Sequence, residues 1–188
     1  MFDAISEEDD VKEDLSDVVM VGDSMLRDQG VIFRRRTKKR ALVKCFPGAG
    51  IEKISGSLPK VKSALQATVV SVGTNDVGEN SSAELRLKYR NLLAKLSGRR
   101  SPSIIVGLLP RMKEGKTWSD RARELNLWLH RQCNERNLIF INLLEHFSLS
   151  PNLYRHDGIH LTLQGKEFIA DTLGDIISES AIYDPFLE

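Results

Sequence analysis

The chain has 188 residues, 41% of them hydrophobic and 28% charged, with a formal net charge of +1. That length suits one globular domain with a proper core, and the near-neutral balance singles out no oppositely charged partner for the molecule as a whole. No apolar stretch approaches a membrane span, and the N-terminus lacks the layout of a secretory signal. The two cysteines, Cys45 and Cys133, are far apart and lack CxxC or metal-ligand spacing, so a disulfide scaffold is unnecessary. An intracellular, cytoplasmic chain is the expectation.

In chain order, the acidic stretch EEDDVKEDLSD (Glu7 to Asp17) is poor in large apolar groups. Residues 1–16 therefore read as a solvated, mobile lead-in to a domain over 17–183. Apolar, β-branched runs predict strands at Asp17–Val21, Ala41–Phe46, Thr68–Val72, Ser103–Leu108 and Leu138–Ile141. Between the first two lies RRRTKKR, a basic run that reads as a charge-rich hairpin or loop. Helical patterns cover Ile51–Gln66 (interrupted by Pro59), Ser82–Leu96, Trp118–Arg136 and, after the N-cap Thr162, Leu163–Ser178. In the last helix Phe168, Thr172 and Ile176 share a face, with Ile169 and Leu173 beside them.

Continuous apolar strands separated by helices indicate a parallel sheet covered on both faces. The expected fold is a three-layer α/β/α sandwich with a doubly wound, flavodoxin-like sheet of about five parallel strands. Chemistry in such folds sits at the C-terminal edge of the strands. There the chain delivers Gly22-Asp23-Ser24 after the first strand, FPGAG (Phe46 to Gly50) after the second and VGTND (Val72 to Asp76) after the third. HDGIHLT, His156 to Thr162, precedes the last helix.

These are the parts of acyl-transfer chemistry. A serine hydroxyl becomes a nucleophile when an imidazole takes its proton, and a carboxylate fixes that imidazole's tautomer. Asp157 and His160, three apart, can supply the pair. His156 is the rival, but adjacent side chains diverge where a spacing of three across a turn can converge. The backbone N–H groups of Ser24 and Gly48 and the side-chain amide of Asn75 can face an oxyanion. Glycine suits position 48 because a backbone N–H must approach substrate unobstructed. Asp76 reads as structural. His130 and Cys133, three apart on a helix, are too few for a metal site. Trp118 and Trp128 read as packing residues.

With these residues in place the chain resembles the SGNH hydrolases, or GDSL-like esterases. Their four markers appear as Ser24 in GDS, Gly48 in PGAG, Asn75 in GTND and His160 in DGIH, over roughly Asp17 to Ser178. The resemblance implies Ser24 as nucleophile, His160 as general base and acid, Asp157 as orienting carboxylate, and Ser24, Gly48 and Asn75 as oxyanion hole. It implies no metal and no organic cofactor. The turn lacks a glycine two after the serine, so it is not the nucleophile elbow of α/β-hydrolases. The wording RALVKCFPGAGIEKI and DGIHLTLQGKEFIADTL is similar to the esterase domain in first-frame proteins of vertebrate LINE-type retrotransposons. That branch implies a domain of a longer, RNA-associated protein that self-associates elsewhere.

The implied reaction is hydrolysis of a small carboxylic ester, lipids included, with short acyl groups such as acetate expected because no long apolar tunnel or lid is evident. The basic residues Arg34, Arg35, Arg36, Lys38, Lys39 and Arg40 carry a second signal. They suit phosphate contacts with RNA, DNA or an anionic membrane, without interleaved aromatics for base stacking. The alternative reading is thus a binding module that keeps the hydrolase fold.

Overall fold

The computed structural model describes residues 16–182, so the expected lead-in over 1–16 lies almost wholly outside the described residues. Five parallel strands form one sheet: β1 (Val18–Gly22), β2 (Ala41–Cys45), β3 (Ala67–Ser71), β4 (Ser103–Val106) and β5 (Ile139–Ile141). Their order is β2-β1-β3-β4-β5. This is the flavodoxin-like order, in which the chain reverses its winding between β1 and β3 and opens a crevice at their C-terminal ends.

Among the described residues six α-helices connect and cover the strands: α1 (Gln29–Thr37), α2 (Ile51–Ser57), α3 (Ser82–Ser97), α4 (Lys116–Asn134), α5 (Leu144–Ser148) and α6 (Leu163–Ile182). Alternation along β1 sends Val19 and Val21 into one layer and Val18 and Met20 into the other. The first layer is filled by Ile51 and Ile54 of α2, Leu92 and Leu96 of α3, and Trp118, Leu125 and Trp128 of α4. The second holds Phe33 of α1, Phe147 of α5 and Ile169, Leu173 and Ile177 of α6. β1 is buried at every residue, whereas β2, at the edge, alternates. A three-layer α/β/α sandwich results.

Three expectations change. The basic run is not a hairpin: Arg34–Thr37 form the last turn of α1, and Lys38 is its C-cap in the left-handed region at φ 64°. Helix α2 ends at Ser57, and Leu58–Lys60 is a short 3-10 turn around Pro59, because proline has no N–H to continue the helical ladder to the Ser55 carbonyl, which accepts Lys95 Nζ instead. Helix α4 spans Lys116–Asn134, two residues earlier than expected. In α6 the expected stripe packs on the core, its centre shifted onto Ile169, Leu173 and Ile177 with Ala170 beside them, and Phe168 and Ile176 half-buried against it. Gly174 sits against Thr37 of α1 so closely that a Cβ there would lie 2.7 Å from its methyl group.

Candidate active site

The exit from β1 is built by Gly22. A Cβ at this position would lie 2.0 Å from the Ser71 carbonyl oxygen, so only glycine lets β1 and β3 remain paired where the Asp23 N–H donates to that same oxygen at 3.2 Å. The next residue, Asp23, is 1% exposed. Its Oδ1 accepts the Met25 N–H at 3.0 Å and caps the 3-10 turn Ser24–Leu26, and its Oδ2 accepts the Thr74 hydroxyl at 3.3 Å. Burial pushes this carboxyl above its ordinary value, against the pull of those hydrogen bonds. Asp23 is a brace that fastens the Ser24 turn to the GTND loop, a role that sequence reasoning missed.

Ser24 opens that turn half-buried. Neither its hydroxyl nor its N–H has a hydrogen-bond partner among the described residues. After β2, Phe46 to Ala49 form a turn closed by the Ala49 N–H to the Phe46 carbonyl at 3.0 Å. Pro47 and Gly48 fill its corners, with Gly48 at φ 71°, the pairing of a type II turn. A Cβ at Gly48 would meet nothing within 4 Å. Glycine is therefore required there by backbone conformation, and the space beside it is open. The Gly48 N–H is also without a partner among the described residues.

Asn75 is held at both ends of its amide. Its Nδ2 donates to the Ala49 carbonyl at 3.1 Å, tying the GTND loop to the glycine turn. Its Oδ1 accepts Arg111 Nη2 at 2.7 Å. Because a guanidinium only donates, that contact fixes which end of the amide is oxygen and leaves one Nδ2 hydrogen for another acceptor. Arg111 lies over Trp118, 5.8 Å from its ring centroid, and near Glu114 at 3.7 Å. It arrives after β4, the strand end that the sequence reading passed over; a cation five residues beyond a parallel strand was the available signal. Asp76 is structural: its Oδ2 accepts the Ile51 N–H at 3.0 Å at the start of α2, where burial raises its carboxyl.

His160 and Asp157 meet in the loop before α6, with His160 Nδ1 and Asp157 Oδ2 at 2.7 Å. The other carboxylate oxygen accepts the N–H groups of Ile159 and His160, each at 2.9 Å. These donors, the Ile159 N–H first and the imidazole next, hold the Asp157 carboxyl well below the usual carboxylate range. The loop is pinned by the Met112 N–H to the Gly158 carbonyl at 2.8 Å, and the Arg155 N–H to the His160 carbonyl at 2.7 Å. Among the described residues, His156 makes no bond to Asp157. Ser24 and His160 occupy the same edge of the sheet but are not hydrogen-bonded to each other; such contacts often close only around a substrate. Beside this loop a pocket of about 620 Å³ is lined by Val31, Ile32, Leu161, Arg155 and the ion pair of Lys166 with Asp28.

The remaining residues named from the sequence lie elsewhere. Cys133 is in the core, where burial pushes its thiol up to about 12, while His130 faces outward and stacks on Phe140. Among the described residues no group of three or more His, Cys, Asp or Glu side chains is placed to hold a metal. Arg34 to Arg40 sit at the opposite edge of the sheet, next to the start of β2. Arg36 there pairs with Asp171 at 2.6 Å, and Arg40 with Asp17 at 3.8 Å.

A flavodoxin-like sheet with a serine, a carboxylate-bound imidazole and convergent donors at its C-terminal edge defines an α/β hydrolytic enzyme. Comparison with known families gives the same class: residues 22–168 match the GDSL-like lipase/acylhydrolase family. The chain belongs to that family and has its SGNH hydrolase fold. Similar solved structures include a GDSL-like lipase from Bacteroides thetaiotaomicron, 16% identical with TM-score 0.73, covering 87% of this chain and 88% of that one. A member of the lipolytic G-D-S-L family from Veillonella parvula is 15% identical with TM-score 0.72, covering 86% and 97%. The esterase domain of the ORF1 protein of a zebrafish retrotransposon is 30% identical, covering 87% and 99%, with TM-score 0.49. A comparison with curated proteins gives no match. No helix among the described residues is long and apolar enough to cross a membrane.

Proposed function

We propose that this hydrolase is a serine esterase acting on carboxylic esters with short acyl groups, acetate among them. The observation that carries the reading is the split use of Asp157: one oxygen holds the loop, the other holds the imidazole of His160. With Nδ1–H donated to Asp157, Nε2 is the free basic nitrogen. It takes the proton of Ser24 as Oγ attacks the ester carbonyl. The tetrahedral oxyanion is met by the N–H groups of Ser24 and Gly48 and by the remaining Nδ2 hydrogen of Asn75. Collapse returns the proton from His160 to the departing alkoxide, and water then repeats the sequence on the acyl-serine. The residues around PGAG and DGIH support placement in the retrotransposon branch, within an intracellular, RNA-associated protein.

The reading is tested by steady-state hydrolysis of p-nitrophenyl esters from acetate to laurate. Turnover falling with chain length is the expected result, and no turnover of any ester overturns it. Asn75→Ala is expected to lower kcat on the order of 10²–10³-fold, the loss typical of one oxyanion donor. Arg111 acts through Asn75 as a positioning residue. Loss of one charged hydrogen bond is about 1.5–3 kcal/mol, so Arg111→Ala should lower kcat roughly tenfold to a hundredfold with KM little changed. A matching rise in KM would instead assign Arg111 to substrate binding.

A further inference from the structure

We infer that the N-terminal edge of the sheet, opposite the candidate active site, is a sequence-independent binding surface for the phosphate backbone of single-stranded nucleic acid. This inference is independent of the esterase reading. It starts from where the topology returns the chain. Helix α1 ends in Arg34 and Arg35 and leads through Lys38 into β2; the short turn ending in Lys60 leads towards β3; α3 is followed by Arg99 and Arg100 before β4. Runs distant in sequence thus become neighbours along one edge. Lys39 Nζ reaches Gln66, just before β3, at 2.9 Å, and Arg99 Nε reaches Thr68 on β3 at 3.1 Å. With β2, β1, β3 and β4 side by side, the row of cations is about 14 Å long at the usual strand spacing.

Among the described residues, little of this charge is neutralised by carboxylates. In the linear run Arg36 and Arg40 face Asp171 and Asp17, so the run by itself is weaker than its six cations suggest. Arg34, Arg35 and Lys38 are exposed. Across the edge, Arg99 donates to the carbonyls of Leu58, Val61 and Lys62 at 3.4, 3.1 and 2.8 Å, and Lys95 donates to the Ser55 carbonyl at 2.9 Å. Carbonyls orient a cation without cancelling its charge. Between these groups lies a groove of about 450 Å³ whose polar walls are Ser63, Lys95, Arg99 and Arg100, with no carboxylate among its lining residues. Partial burial of Arg99 destabilises its charge, which an approaching anion relieves.

The edge favours a nucleic-acid backbone over a membrane. Lipid insertion needs a broad apolar face beside the cations, and of the exposed large apolar side chains only Leu65, before β3, and Leu42, second in β2, lie near this edge. Aromatic platforms for base stacking are lacking in these segments, so the contact reads phosphates and not sequence. At least one strand length, about 16 Å, separates the edge from Ser24.

The test uses the whole chain and a fluorescein-labelled 20-nucleotide oligouridylate, followed by anisotropy between 50 and 300 mM KCl. Two paired variants are compared, Arg34→Gln/Arg35→Gln in the linear run and Lys60→Gln/Arg100→Gln outside it. Each pair is expected to make the log Kd against log salt slope shallower by about 1.4, from roughly 0.7 per phosphate contact on a single strand. Melting temperature and hydrolysis of p-nitrophenyl acetate should stay unchanged, which separates lost binding from lost folding. The inference is overturned if the oligonucleotide does not bind. It is equally overturned if only the linear-run pair matters, or if phosphatidylcholine vesicles with 30 mol% phosphatidylserine bind through these residues while the RNA does not.

Discussion

Ser24→Ala is expected to abolish ester hydrolysis, lowering kcat on the order of 10⁶-fold, the scale seen when a nucleophile is removed from a cooperating triad. The fold should survive. Ser24 is half-buried and its hydroxyl has no partner among the described residues, so alanine leaves no orphaned donor, and the cap from Asp23 uses the backbone of Met25. The Ser24 N–H also survives, so the three oxyanion donors remain and a residual rate above water is expected. Two measurements check this: melting temperature within about 0.5 kcal/mol of the parent in stability terms, and loss of the fluorophosphonate adduct that mass spectrometry should place on the Ser24 peptide. Full activity, or an adduct on another residue of the variant, would move the nucleophile elsewhere.

The same local contacts explain what was readable in the sequence. The strands were legible because β1, β3 and β4 are buried on both faces and so are built mainly of β-branched and other apolar residues. Most site residues were legible because each follows a strand or precedes α6, where a lone Ser, Asn or His stands out from its neighbours. Helix α1 was not. Its N-cap, Asp28, has φ 65° and makes no side-chain capping bond, while Gly30 and three consecutive arginines hide the short buried pair Ile32-Phe33. Asp23 and Arg111 were missed for a different reason: each acts on a residue remote in sequence. Asp23 reaches Thr74 across 51 positions and Arg111 reaches Asn75 across 36. The apolar stripe of α6 was legible from its periodicity, whereas the close approach of Gly174 to Thr37 of α1 is a contact that periodicity alone does not encode.

After Ser24→Ala, Asp157→Asn should be the most damaging change that leaves every site backbone in place, because it alters which imidazole nitrogen carries the proton. Asn Oδ1 can keep the two N–H bonds from Ile159 and His160, so the loop should hold. The amide nitrogen then faces His160 Nδ1 where Asp157 Oδ2 now lies at 2.7 Å. Being a donor, it forces Nδ1 to accept, and the ring proton moves to Nε2, the nitrogen that must take the proton of Ser24. A buried triad carboxylate changed in this way costs about 10⁴ in kcat. The Asp157 side chain is 45% exposed, so water can compete with the amide for Nδ1, and a loss between about 10² and 10⁴ is expected. Asp157→Ala separates tautomer from anchorage: it removes the wrong donor but also the acceptor for both loop N–H groups. If the tautomer dominates, the asparagine variant is slower than the alanine variant while melting higher. The reverse order in kcat would make loop anchorage, and not proton placement, the main task of Asp157. ¹⁵N chemical shifts of His160 in the two variants report the proton's position directly, without turnover.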